Sequence, residues 1–220
     1  SDPASPDSVD FYDTPGSTVN VEYDAGNNII YCADTEALQI IGFNPVSGEL
    51  SPLASLSYTA AVNDLSINGD YVHLGVADGI VVVDVSDPSN PAYTGGTYST
   101  DTQVRGIESI GDKDYIAQGA GGITVLSIDS PGALSFLADF NSPPDDAEDV
   151  AVENIGTADI IYIADGSTGL KIVRFTEGDS AKIEALDQFE TQGVFYDIIY
   201  HDGLLYGADK TKIRTFRYVD

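Results

Sequence analysis

Three observations predict an all-β fold, a five-bladed β-propeller built from four-stranded blades. Apolar, β-branched runs alternate with tight polar turns along the chain. An alanine-led turn after the second run of each unit recurs at Ala33, Ala77, Ala117, Ala164 and Ala208. The intervals are 44, 40, 47 and 44 residues, which suits one four-stranded blade of about 40–45 residues. No helical periodicity of useful length appears between the runs.

Each unit repeats the same strand signals. The first strand is short and apolar, at residues 19–23, 65–67, 107–110, 150–152 and 198–200. A polar turn follows, such as Asn68-Gly69-Asp70 or His201-Asp202-Gly203, with hairpin chemistry. The second strand is aromatic and β-branched, at residues 29–33, 71–77, 115–117, 160–164 and 204–208. The third covers residues 38–43, 80–85, 123–128, 170–175 and 213–218. Apolar residues on both faces of 80–85 suit a strand sandwiched between blades. Prolines 45, 88, 91 and 131 mark strand ends, because proline cannot continue a ladder. The fourth strand follows at residues 53–57, 92–98, 134–140 and 183–189.

The fifth unit stops after three strands. Residues 9–13 (Val-Asp-Phe-Tyr-Asp) are expected to supply the fourth and so close the ring. The blades then span about 18–58, 62–100, 104–140, 149–190 and 196–218 plus 9–13, forming a single domain over 9–220. Residues 1–8, SDPASPDS, read as a disordered linker.

The clearest units are YVHLGVADGIVVVDVSDPSNP at residues 71–91 and IIYIADGSTGLKIVRF at residues 160–175. They resemble the LVIVD-repeat family of β-propellers. The resemblance runs from about residue 9 to 218, with departures. Gln118 replaces the turn aspartate of the third unit, Asp209-Lys210-Thr211 lacks the glycine, and the first unit has Asn44-Pro45 in place of the Asp-Pro/Asn-Pro loop. The family has no settled activity. The resemblance therefore implies a fold, and a bacterial or archaeal protein that is exported or surface-attached.

Charge narrows the function classes. Thirty-six acids face nine bases, for a net charge of −27. Phosphate backbones need clustered Lys and Arg, so nucleic acid is excluded as a partner. Docking on anionic lipid is excluded likewise, and no run reaches a membrane span. Two explanations of the acidity stay open: a halophilic surface kept soluble by carboxylates, or cation binding. Cys32 is the single cysteine, expected in the core.

The residues that enter each innermost strand are the candidate site. Thr18, Asp64, Gly106, Asp149 and Asp197 align there, preceded by Ser17, Asn63, Arg105, Glu148 and Tyr196. In a propeller these positions surround one mouth of the central channel. Converging carboxylates would hold a cation such as Ca2+, with Asp64, Asp149 and Asp197 as candidate ligands. They would equally serve as acid and base, or simply accept backbone hydrogen bonds between blades. The expected ligand-binding set is Asn63, Asp64, Arg105, Glu148, Asp149, Tyr196 and Asp197. Asp34, Asp78, Asp165 and Asp209 read as turn formers, and 145–149 as a solvated acidic loop.

Neither His73 nor His201 has the companion histidine of a zinc site. No nucleophile elbow or phosphate-binding glycine loop appears. The sequence thus points to a monomeric, non-catalytic cell-surface or extracellular module without a cofactor. It would belong to a salt-adapted prokaryote and bind protein or carbohydrate at the channel mouth. The alternative is a small hydrolase or cation-dependent enzyme using the mouth carboxylates.

Overall fold

A computed structural model describes residues 7–130, 132–141, 146–178, 181–191 and 193–217. Most of the expected linker, Pro131, Asp145 and the chain beyond 217 lie outside the described residues. The described chain is all β, with five antiparallel meanders set as propeller blades. Blade 1 contains β1 (Thr18–Asp24), β2 (Ile29–Asp34), β3 (Ala37–Phe43) and β4 (Leu50–Ser57). Blade 2 contains β5 (Val62–Asn68), β6 (Tyr71–Val76), β7 (Gly79–Asp84) and β8 (Ala92–Ser99). Blade 3 contains β9 (Gly106–Ile110), β10 (Lys113–Ala117), β11 (Ile123–Ser130) and β12 (Ala133–Phe140). Blade 4 contains β13 (Asp149–Asn154), β14 (Asp159–Asp165), β15 (Gly169–Thr176) and β16 (Lys182–Phe189). Blade 5 contains β17 (Phe195–His201), β18 (Leu204–Asp209) and β19 (Lys212–Phe216).

Burial explains the composition of each strand. In blades 1 to 4 the second and third strands are buried on both faces, so β6 and β7 are apolar almost throughout. The outer strands alternate, as β8 does, because one face meets solvent. In blades 1 to 4 the ladder between the third and fourth strands slips at the same place: Ile40/Ile41, Val81/Val83, Val125/Leu126 and Ile172/Val173. A bulge there increases the local twist and swings the outer strand away from the channel.

The core is a series of blade-on-blade interfaces. Leu38 and Ile40 of blade 1 cluster with Val62 and Leu65 of blade 2. Ile80 clusters with Val104 and Ile107, Ile123 with Val150, and Leu170 with Phe195 and Ile198. Buried polar pairs lock the same interfaces. His73 Nδ1 lies 2.7 Å from Asp114 Oδ2, and the Tyr115 hydroxyl donates to Asp159 at 2.5 Å. Asp114 also accepts from Ser109 Oγ at 2.6 Å. Asp114→Ala would strand the buried His73 and the part-buried Ser109, so it is expected to cost about 2–3 kcal/mol in urea unfolding. Asp78→Ala, at an exposed turn, should change stability by less than about 0.5 kcal/mol.

Two expectations about detail are corrected. The turn of blade 2 does not align as Ala77-Asp78. Asp34, Asp165 and Asp209 end their second strands and pair with Ala37, Gly169 and Lys212. The blade 2 residue in that place is Val76, paired with Gly79, while Asp78 sits in the turn itself. The buried members carry structural hydrogen bonds: Asp34 accepts from Gly16 N at 2.9 Å, and Asp165 from Asp146 N at 2.8 Å. They join a strand end to the loop that enters the same blade's inner strand.

The second correction concerns residues 9–13. They form no strand, and the described part of blade 5 has three strands. Asp10 Oδ2 instead accepts the Leu50 N–H at 2.8 Å, placing this segment at the outer edge of blade 1. Val9 touches the turn at Gly48. Val9 and Phe11 are exposed, so apolar burial does not pull the segment round to blade 5.

Candidate functional site

The inner strands β1, β5, β9, β13 and β17 surround a channel. Their shared register follows from pairing with the second strands. Asn20, Asp64, Gly106, Asp149 and Asp197 oppose Ala33, Gly75, Ala117, Ala164 and Ala208. Asn20 therefore takes the place expected of Thr18, and the ladder slips between Thr18 and Asn20. The same slip occurs at Val62/Asp64 and Phe195/Asp197. Each bulge inserts one extra residue and re-aims a side chain at the strand entrance.

All seven expected ligand-binding residues line one cavity of about 440 Å³. Three of them form its rim. Arg105 Nη1 lies 2.8 Å from Asp146 Oδ1 and also bonds Glu148, while the Tyr196 ring is exposed. Asn63 Nδ2 donates to Val104 O at 3.1 Å, tying β5 to the loop before β9. Asp146 belongs to the acidic stretch expected to be solvated; with Glu148 it holds the guanidinium instead.

Below the rim, carboxylates staple each blade to the next. Asp64 Oδ2 accepts Ile107 N at 2.7 Å, and its other oxygen accepts from the Asn20 amide. Asp149 Oδ2 accepts Ile198 N at 3.0 Å. Glu22 Oε2 accepts Ile67 N at 2.9 Å, and Glu108 accepts from Val152 N. Gly106 interrupts the ring because no side chain fits there: a Cβ would stand 2.4 Å from Asp149 Oδ1 and 2.8 Å from Asp149 Cα.

Sequence reasoning missed Asn20, Glu22 and Glu108. Glu22 and Glu108 lie two residues beyond Asn20 and Gly106, on the same strand face. That period-2 relation was available for Glu108 from Gly106; for Glu22 it required Asn20 rather than Thr18 in the aligned place.

Burial governs the titration of this channel. It pushes Asp64 up to about 6, against the pull of its hydrogen bonds from Asn20 and Ile107. It pushes Glu22 and Glu108 up to about 7. Asp149 is raised well above the usual carboxylate range, by burial first and then by the charge of Asp64. Asp149 also shares a hydrogen bond with Asp197. The expected cation ligands do not fit that role. Among the described residues no three His, Cys, Asp or Glu side chains are arranged to hold a metal ion, and Asp64 and Asp149 already spend oxygens on backbone N–H groups.

The comparisons bear on family and fold. Residues 61–100 match the LVIVD repeat model. The chain carries an LVIVD repeat. The matched stretch is blade 2 with its entry loop. No curated protein sequence matches the chain. Among solved structures it is similar to a periplasmic gluconolactonase of Pseudomonas aeruginosa, with TM-score 0.67 and 13% identity over 90% of this chain and 65% of that one. It is also similar to a candidate 6-phosphogluconolactonase from Bacteroides uniformis, with TM-score 0.73 and 16% identity over 90% of this chain and 66% of that one. At such identities the likeness concerns the fold. The chain spans just under two thirds of the length of those propellers.

Proposed function

We propose that this LVIVD propeller is a binding module that takes a neutral, polyhydroxylated ligand, a carbohydrate or sugar lactone, at the channel mouth. The observation that carries this reading is the division of labour in the cavity. The deep carboxylates are committed to backbone N–H groups of the next blade, while Arg105, Glu148 and Tyr196 form an open rim. The volume of about 440 Å³ suits a small molecule. Carboxyls that keep a proton near neutral pH offer both donors and acceptors to hydroxyl groups. An exposed tyrosine ring can stack on the apolar face of a sugar. Anionic ligands are disfavoured, since the one rim guanidinium is already paired twice.

An extracellular or periplasmic setting in a salt-adapted prokaryote fits the 36:9 ratio of acids to bases, and one similar propeller is named periplasmic. A second reading, a lactone hydrolase, is favoured by the hydrogen-bonded pair Asp149–Asp197 and by the names of the two similar propellers. Calorimetric titration with neutral disaccharides and glucono-δ-lactone, run beside a lactone-hydrolysis assay, separates the two. Binding without turnover is expected, weakened about tenfold by Tyr196→Ala. Lactone turnover abolished by Asp197→Asn would replace the binding reading with the enzymatic one.

A further inference from the structure

In blades 1 to 4 one residue of the third strand is the apolar anchor onto the next blade: Leu38, Ile80, Ile123 and Leu170, each no more than 1% exposed. All four pair with the small residue that faces the channel-strand ring: Ala33, Gly75, Ala117 and Ala164. The equivalent in blade 5 is Ile213, paired with Ala208. Ile213 is 86% exposed. Ile199, two residues beyond Asp197 on the same face of β17, is 60% exposed. Its counterparts Ser66 and Ala151 are buried.

The first blade shows the complementary defect. Leu65, Ile107, Val150 and Ile198 cover the preceding blade and are buried. Their counterpart Val21 is 56% exposed, and Val19 and Tyr23 on the same face are exposed as well. β1 and β17 both border the central cavity, yet they do not pack together as the other neighbouring inner strands do. Four blade-on-blade interfaces are made, and the two halves of a fifth stand apart. β1 is also a poor cover for Ile213. The other units place Val62, Val104, Ala147 or Phe195 at the strand entrance, all buried, whereas the first unit has Thr18.

We propose that this seam is a docking face for further blades of the same repeat, seated on Ile199, Ala208 and Ile213. The four existing interfaces define the chemistry of the occupant. It is an inner strand with an apolar entrance residue and a second apolar residue three positions later, as in Val104 and Ile107. The similar propellers superpose on 90% of this chain and are longer by about a third, room for roughly two more units at this period. A contiguous apolar face is not normally left in water.

The test uses the 220-residue chain and one extension of it. Ile213→Asp is expected to leave the melting temperature of the chain within about 2 °C, whereas Leu170→Asp should unfold it. If Ile213→Asp is as damaging as Leu170→Asp, the ring closes on itself in solution and the proposal fails. Sedimentation velocity across a concentration range is expected to show a monomer. A dimer dissolved by Ile213→Asp would make a second copy the occupant and overturn the proposal. In the extension, residues 85–140 are repeated after Arg217, supplying an outer strand and a copy of blade 3. Amide exchange in β17 and β19 is expected to slow about tenfold, and Ile213→Asp should reverse this. No added protection in the extended chain would also overturn it.

Discussion

Gly106→Ala is expected to lower the unfolding free energy by about 2–3 kcal/mol, the upper part of the range for overpacking. The added methyl would lie 2.8 Å from the Asp149 Cα and 3.2 Å from the Glu148 carbonyl, besides 2.4 Å from the Asp149 carboxylate. The carboxylate can rotate; the backbone of β13 cannot. Blade 4 must therefore back away from blade 3. That motion pulls Asp149 from the Ile198 N–H and loosens blade 5 as well. Urea unfolding followed by circular dichroism measures the loss. Gly111→Ala is the control. Gly111 has φ +62 with nothing near its missing Cβ, so only backbone strain of about 1 kcal/mol applies. Equal losses at the two positions would refute the steric account of the interrupted ring.

The second large effect is on pH dependence. Folding raises Asp64 to about 6 and Glu22 and Glu108 to about 7, all chiefly through burial. In the unfolded chain these groups lose their protons near pH 4. Between pH 4 and 7 the native state therefore binds more protons than the unfolded state. Stability is fully present below the unfolded values and is lost as pH rises through the folded ones. The expected fall from pH 4.5 to 7.5 is about 3 kcal/mol or more in total, read as the urea midpoint at each pH. Self-repulsion of the net charge of −27 pushes the curve the same way, so the variant that removes the buried carboxyls is the diagnostic one. Glu22→Gln with Glu108→Gln should flatten the curve. Molar salt should raise it at neutral pH by screening the net charge of −27. A curve that rises with pH, or that the double variant leaves unchanged, would show that these carboxyls do not keep their protons.

Much of the fold was legible before any coordinates. The apolar core strands, the polar hairpin turns and a period near that of one blade define five meanders, because hydrophobic alternation and turn chemistry are local properties of the chain. The mouth residues were legible too, since they precede each inner strand at a repeated place. All seven line the cavity. Three things were not legible. The bulges at Thr18/Asn20, Val62/Asp64 and Phe195/Asp197 slip the register by one face, and no local pattern announces them. The segment around Asp10 was expected as a strand because the fifth unit lacks a fourth and this segment precedes the first; the N–H of Leu50 holds it at blade 1 instead. Glu22 and Glu108 carry no motif that separates them from the chain's other acids.

The repeated strand-and-turn pattern, then, determines by itself how many blades this chain builds and most of the residues at the channel mouth. Tertiary structure decides what those residues do. Asp64, Asp149, Glu22 and Glu108 become staples because a backbone N–H from a strand more than forty residues away is brought to each one, and they keep their protons because the packed blades exclude solvent from them, against the pull of those same N–H groups. It decides equally that Ile213 and Val21, apolar residues indistinguishable in sequence from their buried counterparts, face an unfilled seam. Burial depends on which sheet lies opposite, and the sequence of a blade does not contain its neighbour.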